Sequence, residues 1–93
     1  MTVKVQISKT LKEYCHEPSD IHISASNVGV ALEALHNEYP SLYNCVCDET
    51  GRVRQHLNLF VNCDLVPIQN TNGFDILLHP GDVLTIWQAV SGG

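Results

Sequence analysis

A single stripe of helical period, set between stretches of strict alternation, most constrains how this chain can fold. Val28, Leu32, Leu35 and Tyr39 recur at i, i+4, i+7 and i+11, with Ala31 beside them, so one helix face is apolar. Ser26 or Asn27 stands where a side chain can cap the first free amides. Pro40 stops the helix at Tyr39, because proline disfavours helical geometry in the residue before it. On both sides the period drops to two. Val3, Val5 and Ile7 alternate with Lys4 and Gln6, and Ile21 and Ile23 alternate with His22 and Ser24. That predicts two strands, each with one buried and one wet face, joined as an N-terminal hairpin. Leu42, Tyr43 and Val46 add one further helical turn before the polar bend Asp48-Glu49-Thr50-Gly51. Residues 52–63 read as a long strand, with Leu57, Leu59 and Val61 facing one way and Asn58, Phe60 and Asn62 the other. Leu65-Val66 makes a short strand ended by Pro67, and residues 69–73 are loop chemistry. His79-Pro80-Gly81-Asp82 predicts a type II turn, with glycine supplying positive φ, and the last strand runs from Val83 to Val90.

One helix cannot cover two faces of a sheet, so it must lie on one face of a single sheet. The expected class is α+β: a mixed four- to five-stranded sheet with one main helix, its first and last strands central and parallel. This is the layout of a ubiquitin-like β-grasp. At 93 residues the chain has room for one domain, expected to span residues 1–93 with a flexible tail at 91–93. Strand parity places Phe60 and Trp87 on the face the helix leaves open, on strands that should be neighbours. Large aromatics on an open face are frequent interface anchors, so these two are the candidate partner-docking residues.

Charge narrows the partners. Five Lys and Arg against ten Asp and Glu give a net charge of -5, and the basic residues do not cluster along the sequence, which argues against nucleic acid. A protein with a basic or mixed surface is the easier partner to accommodate. No apolar run approaches membrane-spanning length, and the sequence begins directly as strand, so the expectation is a cytoplasmic protein with no membrane association. Cys45-x-Cys47 lacks the spacer and second pair of a zinc site, so no metal is expected and Cys15, Cys45, Cys47 and Cys63 read as reduced thiols. The histidines at 16, 22, 36, 56 and 79 are scattered and read as surface or boundary residues. None of the motifs G-x-S-x-G, phosphate-binding loop or H-E-x-x-H occurs, and Glu33 and Glu38 fall on the solvated helix face. No catalytic residue is assigned to this chain, and no cofactor.

The informative segment is Ser91-Gly92-Gly93, whose two glycines follow the last strand by a single residue. Without a Cβ, glycine can enter a narrow channel and adopt whatever backbone angles a partner's site demands. Such a tail would project a carboxylate from a rigid platform. A carboxylate is a poor electrophile until one oxygen becomes a leaving group. An ATP-using partner can make the acyl-adenylate on Gly93, and a sulfur nucleophile can then displace AMP to leave a thiocarboxylate. Ser91 and Gly92 would thread the partner's site.

The chain resembles the MoaD/ThiS-type sulfur carriers of the ubiquitin-like β-grasp superfamily. The resemblance rests on Leu59-Phe60-Val61-Asn62, on Pro80-Gly81-Asp82-Val83-Leu84-Thr85-Ile86 and on Ala89-Val90-Ser91-Gly92-Gly93, with the helix before Pro40 also in place. The chain departs from the family's usual pattern at Trp87-Gln88, where proline is frequent, and at Ser91, where alanine is. Its length is closer to carriers of cysteine or homocysteine biosynthesis than to the shortest thiamine-pathway carriers. The resemblance implies an adenylating partner similar to the ubiquitin-activating enzymes, with ATP consumed by that partner. It also implies a sulfur-accepting synthase: a pyridoxal-phosphate-dependent synthase, a thiazole synthase or the large subunit of molybdopterin synthase. Some carriers of this kind require a metalloprotease that trims the C-terminus. The alternatives are the small subunit of molybdopterin synthase, a protein modifier joined through Gly93 to lysine, and a plain binding module.

Overall fold

The computed structural model describes residues 2–9, 11, 21–54, 57–67 and 71–88. The alternating segments form β1 (Val3–Ile7), β2 (Ile21–Ile23), β3 (Leu57–Val61), β4 (Asp64–Leu65) and β5 (Val83–Gln88). They assemble into one five-stranded sheet in the order β2-β1-β5-β3-β4. β1 and β5 run parallel, with Val5 opposite Leu84 and Ile7 opposite Ile86. The remaining pairs are antiparallel. The first and last strands thus lie inside the sheet, in a mixed α+β architecture that is the ubiquitin-like β-grasp.

One face is covered by helices. The apolar stripe becomes α1 (Val28–Glu38), which buries Val28, Ala31, Leu32 and Leu35. Asn27 is extended, and its side-chain oxygen accepts from the Val30 amide at 2.8 Å, satisfying one of the free donors of the first turn. The Val28 amide finds the Ile76 carbonyl at 3.0 Å, so the long connection before β5 is tied to the helix start. Tyr39 closes α1 in a non-helical conformation. Pro40 then opens α2 (Pro40–Val46), since its missing N–H and fixed φ suit a first helical position. The further turn expected after Pro40 is thus nearly two turns, burying Leu42 and Val46. Against these helices the sheet buries Val3, Val5, Ile21, Ile23, Leu57, Leu59, Leu84 and Ile86.

Three elements differ from the sequence reading. The short strand expected at Leu65-Val66 lies one residue earlier, at Asp64–Leu65. The strand expected over residues 52–63 is confined to Leu57–Val61. Val53 instead forms an isolated bridge with Cys47, and the Leu57 amide bonds the Arg54 carbonyl. A 3-10 helix (Thr71–Asp75) occupies part of the expected loop. Among the described residues no helix is long and apolar enough to cross a membrane.

Candidate functional site

The entry to β5 is fixed by a turn and by two side chains. Gly81 takes φ +90°, a region glycine enters freely, and the Asp82 amide closes the turn on the His79 carbonyl at 3.0 Å. The Asp82 carboxylate accepts from the His79 amide at 2.9 Å and from the Asn62 side-chain amide at 3.2 Å. Both bonds stabilise the charged form, the His79 amide most, so the carboxyl sits below its ordinary value. Asn62, at φ 57°, also accepts from the Val83 amide through its side-chain oxygen at 3.1 Å. Asn and Asp tolerate such left-handed geometry better than other side chains. On the other flank the Lys4 amide bonds the Asp82 carbonyl and the Gly81 amide bonds the Thr2 carbonyl. The strand therefore starts locked to both neighbours.

From that anchor the register runs unbroken to Gln88, which stands opposite Leu57 at the start of β3. Ala89, Val90 and the candidate residues Ser91, Gly92 and Gly93 lie outside the described residues. The candidate docking residues fall as strand parity requires. Leu84 and Ile86 are buried toward the helices, so Trp87 faces the opposite side and is 52% exposed. Phe60 lies between the buried Leu59 and Val61, on the same open face, half-buried. Trp87 pairs with Asn58 and Phe60 with Thr85, so the two aromatics sit diagonally on adjacent strands. Leu65, opposite Phe60 on the edge strand, extends the apolar area and is 60% exposed. Lys4 and His22, paired across β1 and β2, place basic groups on the far flank of the same face.

The cysteines correct one expectation. Cys45 is disulfide-bonded rather than a reduced thiol. Spacing along the sequence does not report which cysteines approach closely enough in space to join, and that approach decides the matter. Cys47 and Cys63 are free, the first buried and the second exposed. Burial pushes the Cys47 thiol up to about 11, partly opposed by the Tyr43 hydroxyl bonded to its sulfur, so it is a neutral packing group near pH 7. Cys15, His16 and His56 lie outside the described residues, while His22, His36 and His79 are exposed. Among the described residues no three His, Cys, Asp or Glu side chains gather to hold a metal. The bonds from Asn62 to Asp82 and Val83 were not legible in sequence, since they join positions about twenty residues apart. Their only signal is an Asn after one strand and an Asp before another.

No protein-family model matches the chain. No curated protein matches it either. Solved structures do. SAMP1 from Haloferax volcanii superposes with a TM-score of 0.79 at 23% identity, covering 100% of both chains. The small archaeal modifier protein 1 (SAMP1) from Methanosarcina acetivorans superposes with a TM-score of 0.76 at 26% identity, covering 99% of this chain and 96% of that one. A chain of the Amycolatopsis orientalis BexX/CysO complex gives 0.78 at 22% identity, covering 98% and 99%. The resemblance read from the sequence and these superpositions converge on one architecture. By its fold the chain is a ubiquitin-like β-grasp protein, similar over nearly its whole length to small archaeal modifier proteins and to a chain of the BexX/CysO complex.

Proposed function

We propose that this chain is a sulfur carrier whose reacting group is the carboxylate of Gly93 in the processed protein. One observation carries the reading: β5, held in register between β1 and β3 as far as Gln88, leads within five residues to Gly92-Gly93. A strand anchored on both sides aims whatever follows it. In the proposed sequence an activating enzyme transfers AMP from ATP to the Gly93 carboxylate, releasing pyrophosphate. A sulfur donor attacks the acyl carbon and AMP leaves, giving a thiocarboxylate that a synthase consumes. The chain's own residues bind and present, and all the chemistry belongs to the partners, among them a synthase of cysteine, homocysteine or thiamine type. The similarity to a chain of the BexX/CysO complex supports a carrier that works in association with another protein.

Incubating the chain with a ubiquitin-activating-like enzyme, ATP and a sulfur donor tests this. The expected result is an intact mass raised by the difference between sulfur and oxygen, dependent on all three additions and abolished by removing Gly93. An unaltered mass under conditions in which the enzyme charges another carrier would refute it. A second reading is favoured by the similarity to two small archaeal modifier proteins. It would make Gly93 the donor of an isopeptide bond to lysine, and branched glycine remnants on other proteins would identify it.

A further inference from the structure

On the helix side of the molecule, away from Trp87, a notch of about 180 Å³ opens between the two helices, the bend after α2 and the 3-10 helix. At about 30 Å³ per water it has room for roughly six waters, or one long side chain. Leu32 and Phe74 supply its apolar wall, and the rings of His36 and Tyr43, with centroids 4.5 Å apart, supply an aromatic one. Gly29 lets the 3-10 helix lie close against α1 on one side of the notch: a Cβ there would stand 3.3 Å from the Phe74 carbonyl oxygen, tight enough to make its neighbour shift by a few tenths of an ångström. Gly51 completes the rim.

The charges around it are acidic. Glu33 lines the notch, is exposed and makes no hydrogen bond or ion pair among the described residues. Asp48, at the end of α2, spends one carboxylate oxygen on Thr50 and Arg52. Burial pushes the Tyr43 hydroxyl above its ordinary value, and Cys47, Asp48 and Glu33 add to that push. Arg54 is engaged elsewhere, its guanidinium donating to the Asn44 carbonyl at 3.2 and 3.0 Å. A flat cation would find in one place an aromatic face to stack on, an apolar wall for its stem and an unpaired carboxylate.

We propose that this notch receives an arginine side chain of a partner protein. Arginine satisfies all three features at once, and a chain of net charge -5 favours a basic surface opposite it. A partner seated there leaves the open sheet face uncovered, so two proteins can hold the chain together. Recognition of arginine by the notch does not depend on whether Gly93 is ever charged.

The test is an amide-resolved titration of the whole, uncharged chain in mildly alkaline buffer. The probe is a blocked Gly-Arg-Gly peptide, with its neutral citrulline counterpart as control. Saturable shifts confined to the amides of Gly29, Glu33, His36 and Gly51 are expected, with a dissociation constant of about 1 mM. The citrulline peptide, and the arginine peptide on Glu33→Gln, should each bind about fivefold more weakly. Glu33 is a solvated helix residue without a hydrogen bond or ion pair among the described residues, so this variant keeps the parent spectrum elsewhere. Shifts that do not saturate, shifts spread over the surface, or equal affinity for the two peptides would overturn the proposal. Changes at the same amides on simple dilution would give the notch to a second copy of the chain instead.

Discussion

Asp82 shows how one carboxylate can hold the beginning of a strand. It ties the turn to itself through His79 and to the neighbouring hairpin through Asn62. Because those bonds hold its folded pKa below the unfolded value of about 3.9, the stability it contributes is present above that pH. It is lost as pH falls through the lower, folded value. Asp82→Asn should therefore melt below the parent at neutral pH, with the gap closing as the solution is acidified past about pH 4. Paired thermal melts across that range decide it, and a gap independent of pH would remove the carboxylate from the account. The individual residue types in this network are visible in the sequence, and the turn at Gly81 is predictable from them. Their mutual contact is not, because it depends on β3 and β5 lying side by side.

Elements were legible where a period extends over several residues. The stripe Val28, Leu32, Leu35 specifies α1, and the Pro40 boundary holds, because apolar side chains must return to the same face each turn. The beginning of β3 was not legible. Arg52, Val53 and Arg54 alternate as a strand would, yet Val53 is buried against Cys47 in a lone bridge while the ladder with β5 starts only at Leu57. Alternation records which side chains are buried and leaves open which partner covers them. At the start of α1 the reading can be tested directly. Asn27→Ala removes the bond to the Val30 amide and should cost about 1 kcal/mol, whereas Asn27→Ser should recover most of it. Urea unfolding measures both, and equal stability of alanine and asparagine at this position would mean the Ile76 carbonyl alone suffices to start the helix.

At the scale of the whole molecule, the helices conceal one side of the sheet and leave Phe60, Trp87 and Leu65 together on the other. Parity alone fixes that side for Phe60 and Trp87, which is why these candidates could be named from the sequence. The tail residues were equally visible there, and they lie outside the described residues. If the open face docks the activating enzyme, Phe60→Ala combined with Trp87→Ala should lower kcat/KM for adenylation by roughly tenfold to a hundredfold. Its unfolding midpoint should change little, since both rings face away from the core. An unchanged rate in the folded double variant would locate docking elsewhere.

The parallel pairing of β1 with β5 also has a mechanical side. Tension applied between the two ends of the chain would draw these strands past each other lengthwise, loading their cross-links together. A peptide hauled by its terminus into a narrow enzyme channel would transmit that load straight into the middle of the sheet. The domain would then withstand traction where an edge-strand attachment would peel open one rung at a time.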